Sequence, residues 1–365
     1  MSSVHPQDSA RILHKECASL ARNGYDTYFV VCGESREENG VHVTGTGPAA
    51  RNRLVRMIRD SRRVYKKALA LKADVYHFHD PELLPYGVKL VRKGYKVIWD
   101  SHENYMELMA HKDYLPAPLR KLVASAFSRY YKKVLPRFSA VVVVSPGCDT
   151  AIRNYCKKLC IITNYPIVDE ADKEAPRHDF TSKKLVFAGN LSSQWCLRET
   201  IEVLEDLPGV TYVLLGSNKG EFFESLKALP GWKQVDYRGR VPFTEVQDIL
   251  RECAVGMSVL KPSYNTHGSL GTLGVTKLFE EMYAGLPVIV TDFELWREVV
   301  EKAQCGILVD PLDPESIKAA VRKLTEDPAL SERMGQAGRK AVMEEYNWKT
   351  QEEKLLRLYE EVLQG

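Results

Sequence analysis

Residues 267–274, His-Gly-Ser-Leu-Gly-Thr-Leu-Gly, place three glycines directly ahead of Thr276-Lys277-Leu278-Phe279-Glu280-Glu281-Met282-Tyr283-Ala284. The second stretch reads as a helix, stopped by Gly285 and Pro287 and followed at once by an apolar strand over 287–291. A flexible glycine-rich loop entering a helix N-terminus presents free main-chain N–H groups and a partial positive charge, which is the chemistry of a phosphate site. Lys277 in the first turn adds a point charge to the same anion. Glu280, one turn further in, is spaced to accept hydrogen bonds from a diol such as a ribose. The same spacing also fits a surface helix with solvated charges and a loose loop.

A second set of polar residues follows two apolar runs. His77, His79 and Asp80 close the run 74–78, and Asp100-Ser101-His102-Glu103 closes 96–99. Both runs end where the ligands of doubly wound sheets collect. His77 and His79 are two apart and share a face, so with Asp80 and His102 they mimic a metal site. The favoured reading is a hydrogen-bonded loop in which Asp80 caps a helix opened by Pro81, with no metal bound.

The elements that must position these groups alternate in the manner of βαβ units on a parallel sheet. In the first half, strands are expected at 26–32, 74–78, 96–99 and 140–145, with helices at 9–22, 51–71, 82–93 and 118–136. The second half restarts at 184–188, then 211–215, 235–238, 255–260, 287–291 and 306–309, with six helices between and after. The fold class is therefore α/β, with two doubly wound Rossmann-like domains facing a central cleft. Their expected bounds are 1–166 and 184–345, joined by a polar, Pro-bounded hinge at 166–184. Residues 346–365 read as an amphipathic crossover helix packing back on the first domain through Leu355, Leu356, Leu358, Tyr359 and Val362. The opening strand of the first domain is missing or reduced to a stub, because Met1 falls almost on the first turn.

The 365 residues suit two domains, and 44% hydrophobic with 27% charged residues exclude disordered and low-complexity classes. No apolar run reaches the ~18 residues of a membrane-spanning helix, and the polar N-terminus lacks a secretory core. Eight scattered cysteines without a Cys-x-x-Cys pair fit reduced thiols and a cytoplasmic location. The net charge of +3 hides a division: residues 1–165 hold 27 Lys and Arg against 15 Asp and Glu, and 166–365 hold 24 against 33. The basic surplus concentrates in 51–71 and 120–137, where arginines and lysines interleave with Leu54, Val55, Met57 and Ile58. Such helices suit peripheral contact with an anionic membrane surface. No recognition motif or stacking set points to nucleic acid.

Taken together, Ser3-Val4-His5-Pro6 with Arg11 and Glu16, the segments 77–82 and 100–103, Phe187-Ala188-Gly189-Asn190-Leu191, Tyr237-Arg238-Gly239-Arg240 and the helix at Thr276 resemble the retaining glycosyltransferases of family 4. The resemblance covers nearly the whole chain and lies nearest the bacterial and archaeal polysaccharide-type subgroup. It implies the GT-B fold and transfer of a hexose-type sugar from a nucleotide-diphospho-sugar (UDP or GDP) to a glycan or lipid-linked acceptor, with retention. The donor is a substrate, and neither a cofactor nor a metal is implied.

By resemblance, Gly271, Thr272, Gly274, Thr276, Lys277 and Leu278 bind the pyrophosphate, Glu280 the ribose, and Arg238 and Gly239 the base, with Gly189 and Asn190 beside them. His102 contacts the transferred sugar and is grouped with Lys277 as catalytic; His5, His79, Asp80 and Glu103 lie on the acceptor side. Thr272 stands where many members have a first glutamate, and Gln194-Trp195-Cys196 where many have a basic residue. Lys277, with Arg198 as a second candidate, is expected to carry that charge. The competing readings are a nucleotide-sugar epimerase and a degenerate family member serving as a scaffold. The family frequently works on lipid-linked acceptors at the inner membrane face.

Overall fold

The computed structural model describes residues 1–110, 116–169, 176–217 and 220–365, so part of the expected hinge, 170–175, lies outside the described residues. The chain forms two compact units, one made of 1–164 with 348–365 and the other of 165–347.

The first unit contains two sheets. β1 (Tyr28–Val31) runs parallel to β3 (Val41–Gly45), which pairs antiparallel with β2 (Arg36–Glu38), in the order β1-β3-β2. β4 (Val75–Phe78), β5 (Lys96–Ser101), β6 (Ala140–Val143) and β7 (Leu159–Ile161) form an all-parallel sheet in sequence order. β2, β3 and β7 were not anticipated: they are short and lie at or next to a sheet edge, and Arg36-Glu37-Glu38 has no apolar signal.

Side chains alternate across β5. Val97 and Trp99 join one buried layer with Phe78, Tyr131 and Phe138, while Ile98 joins the opposite layer with Leu20, Ala140 and Val142. That second layer is completed by the last helix, Trp348–Gln364, which buries Leu355, Leu358, Tyr359 and Val362 and half-buries Leu356. Trp348 Nε1 donates to Ser19 Oγ at 2.8 Å, and Glu352 accepts from Ser19, Arg22 and Asn23.

The second unit holds six parallel strands: β8 (Lys184–Ala188), β9 (Thr211–Leu215), β10 (Val235–Gly239), β11 (Val255–Ser258), β12 (Val288–Thr291) and β13 (Gly306–Val309). Each lies within two residues of its expected bounds. Central parallel strands are covered on both faces and read as continuous apolar runs, which makes them easy to place. Helices bury Phe187, Tyr212, Phe223, Phe279, Phe293 and Trp296 against this sheet. Its order is β10-β9-β8-β11-β12-β13, so the chain reverses direction between β8 and β11. All eight cysteines carry free thiols. Among the described residues, no helix is long and apolar enough to cross a membrane.

Candidate functional site

The reversal between β8 and β11 leaves a crevice at the carboxyl ends of the strands, where ligands of open α/β sheets bind. Two segments border it: Gly189-Asn190 after β8, and the loop after β11 that leads into the helix Thr276–Tyr283. Lys277 joins them. A Cβ on Gly189 would collide with Cε and Nζ of Lys277, and Gly189 also adopts φ +152°, so only glycine lets the lysine pass. The ammonium lies 4.8 Å from the centre of the Trp195 ring and 5.5 Å from that of Phe187. Burial pulls its pKa below the ordinary lysine value, against the pull of Glu280 and Glu281. A cation held over aromatic faces in a partly desolvated channel is poorly compensated and well placed to meet an anion.

The N-cap of this helix, Val275, offers no side-chain acceptor. The first-turn amides of Thr276, Lys277 and Leu278 are therefore uncapped. The side chain of Leu278 is fully buried, leaving only its main chain for a ligand. Glu280 is half-buried in the same helix.

The preceding loop is not loose, contrary to the sequence expectation. Gly271 N donates to Thr266 O at 2.8 Å, Trp296 Nε1 to Thr272 O at 2.8 Å, and Leu295 N to Leu270 O at 3.0 Å. Gly271 takes φ +81° with its α-carbon packed on Phe293, leaving no room for a side chain. The glycines serve close packing here rather than mobility. Gly274 N is turned inward to Thr272 Oγ1 at 3.1 Å.

Three further candidates sit apart from Lys277 in their contacts. Arg238 is held by Asp236 at 2.9 Å and Glu252 at 2.8 Å. Gly239 ends β10, its carbonyl accepting from Gly216 N at 2.8 Å. Arg198 donates to Ser225 at 2.7 Å and lies 3.7 Å from Glu202. Asn190 is exposed.

The first unit gathers its histidines around one carboxylate. Asp100, fully buried at the end of β5, lies 3.3 Å from His79 Nδ1 and 3.4 Å from His102 Nε2. Arg11 reaches it at 2.9 Å and also lies 2.9 Å from Glu16. Burial opposes ionisation of Asp100, but the Arg11 guanidinium and the bonds from His102 and His79 hold its carboxyl well below the usual range. Burial pushes Glu16 well up instead, so Asp100 is the ionised partner of Arg11. Burial also holds His79 well below its ordinary value and takes His77 down to about 3, so both rings are neutral.

His102 and His5, with ring centres 4.8 Å apart, are both partly exposed. Asp80 does not cap the helix after it, as was expected. Its carboxylate turns back to the N-terminal loop, accepting from Ser2 Oγ at 2.9 Å and Val4 N at 3.2 Å, with His5 Nδ1 at 2.9 Å. Ser3 completes that set, which ties the loop bearing His5 to β4. The Glu103 side chain is exposed. Glu16, His77, His79 and Asp100 bring ligand atoms within 4.8 Å of one another, a spacing a metal ion can use. Arg11 already supplies positive charge to both carboxylates there.

With this geometry in place, known proteins place the chain. Residues 9–165 match the family model described as Glycosyltransferase Family 4, and 168–341 match Glycosyl transferases group 1. The two matches are consecutive along the chain, one on each side of residue 166. An uncharacterized glycosyltransferase of Methanocaldococcus jannaschii is 26% identical over 186 residues, which are 49% of this chain and 45% of that protein. The chain spans about half the length of the curated relatives it matches. A Rickettsia africae glycosyltransferase superposes with a TM-score of 0.72 at 14% identity, covering 100% of this chain and 97% of that one. Anabaena HepE, solved in complex with UDP and glucose, gives 0.69 at 13%, covering 97% and 96%. These likenesses establish the two-domain GT-B-like fold.

Sequence reasoning missed two residues of the crevice. Glu281, next to the singled-out Glu280, is fully enclosed against Gly256 and accepts from Ser258 Oγ at 2.9 Å. Burial pushes its carboxyl up to about 8. A four-residue spacing from Lys277 puts it on the same helix face, a signal present in the sequence. Trp195, noted as a departure from the family pattern, is a wall of the Lys277 channel; only its packing on Phe187, with ring centres 5.1 Å apart, identifies that role.

Proposed function

We propose that the protein is a retaining glycosyltransferase that moves a hexose-type sugar from a UDP- or GDP-sugar to a hydroxyl of a glycan or lipid-linked acceptor. The observation that carries this reading is Lys277, extended past Gly189 at the chain reversal beside the uncapped start of the helix Thr276–Tyr283. The crystallised HepE complex with UDP and glucose supports a uridine donor.

The barrier to such a transfer is charge separation between an oxocarbenium-like sugar and a departing diphosphate. The first-turn amides and Lys277 are assigned to the diphosphate, where they act more strongly on the developing charge than on the bound donor. Because the ammonium is already desolvated by Trp195 and Phe187, little solvent must reorganise when the anion forms. Glu280 is assigned to the ribose. His102, its neighbouring Asp100 ionised and Arg11-paired, is assigned to the transferred sugar. The reading places charge neutralisation on protein groups and calls for no cofactor or metal.

A membrane-surface role for the basic helices is part of the same proposal. Leu54 and Ile58 are 68% and 70% exposed among Arg51, Arg53, Arg56, Arg59 and Arg62. Incubation with a panel of UDP- and GDP-sugars, with release of nucleoside diphosphate as readout, tests the central claim. Transfer or slow hydrolysis supports it; isomerised donor, or neither binding nor turnover with any donor, overturns it.

A further inference from the structure

Glu281 is a buried acid of the crevice to which the transfer chemistry assigns no part. The helix Thr276–Tyr283 places it four residues after Lys277, on the same face and one turn deeper. Lys277 runs out past Gly189, beyond the end of β8, whereas Glu281 lies against Gly256 and Ser258 of β11, the strand paired with β8. A Cβ on Gly256 would stand 2.8 Å from Oε2 and 2.9 Å from Cδ of Glu281, so β11 carries a glycine where the acid needs room.

Only one oxygen of this carboxyl is held. Oε2 accepts from Ser258 Oγ at 2.9 Å, while Oε1 is buried with no hydrogen-bond partner among the described residues. An unpaired buried charge is costly, and a protonated carboxyl avoids that cost. The ammonium that would compensate the charge lies instead over the rings of Trp195 and Phe187. Glu280 shares the helix, and Tyr212 of β9 is fully buried, its hydroxyl pushed well up by burial and by Glu281. From the helix Pro328–Glu344, Arg339 donates to Tyr283 O and lies 4.9 Å from the centre of the Tyr283 ring. His178 stands at the far end of the helix Thr276–Tyr283, between the carbonyls of Cys253 and Ala284 at 3.1 and 2.7 Å.

We infer that Glu281 is a positioning residue for donor binding: its carboxyl, enclosed behind Lys277 on one helix face, sets how much of the lysine's charge is left for the diphosphate. The inference rests on the assignment of that diphosphate to Lys277. Protonated, Glu281 leaves the ammonium uncompensated; ionised, it competes with the donor for the same charge. Burial keeps the proton on, with a folded pKa of about 8. A diphosphate arriving at Lys277 adds negative charge nearby and makes that proton harder to lose. Binding above neutral pH therefore takes up a proton and weakens as the pH rises.

Calorimetric titration of the full chain with UDP and with GDP at pH 7, 8 and 9, each in two buffers of different ionisation heat, reads affinity and proton uptake together. The parent is expected to bind about five- to tenfold more weakly at pH 9 than at pH 7, and to take up about half a proton per nucleotide at pH 8. Glu281→Gln keeps an acceptor for Ser258 but cannot ionise; it should show no uptake, and its affinity should change less than about twofold over the same interval. If that variant fails to fold, Ser258→Ala is the second measurement. It removes the hydrogen bond that favours the ionised form, and should move the onset of weakening up by at least about half a pH unit. Uptake that persists in Glu281→Gln, a parent affinity level from pH 7 to 9, or an onset unmoved in Ser258→Ala overturns the inference and leaves the donor assignment standing. A parent that binds neither nucleotide overturns the inference together with the reading on which it rests.

Discussion

The Lys277 ammonium lies 4.8 Å from the centre of the Trp195 ring, so a residue that departs from the expected family pattern walls the channel of the lysine expected to carry the missing charge. The lysine is poised by an aromatic face rather than by a carboxylate. Removing the charge should therefore act on the anion it awaits more than on the fold. Lys277→Ala is expected to lower turnover with the best donor about a hundredfold, within the range for losing one preorganised charge-stabilising group. Steady-state rates check this, and wild-type turnover would remove Lys277 from the site.

Gly189→Ala should produce a similar defect for a different reason. The new methyl occupies the path of the Lys277 side chain and meets an unfavourable φ of +152°. Donor affinity in calorimetry is expected to fall at least tenfold, about 1.4 kcal/mol. Unchanged binding would mean that the lysine has another route.

Glu280→Ala is expected to weaken UDP or GDP binding about 10- to 150-fold without changing thermal stability, because a half-buried carboxylate accepting from a diol contributes roughly 1.5–3 kcal/mol. Equal affinity of the variant and the parent would refute the ribose assignment.

Glu281 predicts a pH dependence. Its folded pKa of about 8 stands above the ordinary 4.5, so between these values the folded state holds a proton that the unfolded state has lost. Stability from this group is full below about pH 4.5 and declines as pH rises towards 8, by at most about 1.4 kcal/mol per unit. Glu281→Gln keeps an acceptor for Ser258 and should flatten the thermal midpoint between pH 5 and 8. A midpoint that falls as steeply in the variant would assign the slope elsewhere.

Arg11 and Asp100 form a buried pair, with side chains 6% and 0% exposed. Arg11→Ala leaves the carboxylate without its counter-charge and should cost about 3–5 kcal/mol in urea unfolding. His102→Ala, at a partly exposed ring, should cost far less stability while lowering turnover. A stability loss for His102→Ala equal to that of Arg11→Ala would make the histidine structural.

How legible the molecule was depended on burial. The four central strands of the second unit are buried on both faces, its edge strands β10 and β13 less so, and all six were placed within two residues. The crevice loop was placed but misjudged: its glycines looked like mobility, whereas Gly271 is packed on Phe293 and tied to Thr266. Asp80 was read as a cap for its own helix because Pro81 follows it. The carboxylate instead serves the loop of Ser2, Ser3 and His5, a partnership across more than seventy residues that no local pattern announces.

From the sequence alone came the alternation of strand and helix, the glycine-rich entry to a helix with Lys277 in its first turn, and a family resemblance, because periodicity and short-range spacing are properties of the chain itself. The tertiary structure decided which groups meet. Trp195 approaches Lys277 only because β8 and β11 lie side by side, and Arg11 reaches Asp100 only because the first helix covers β5. Burial then set the proton on Glu281 and withheld it from Asp100, since the cost of a buried charge depends on the company that folding provides.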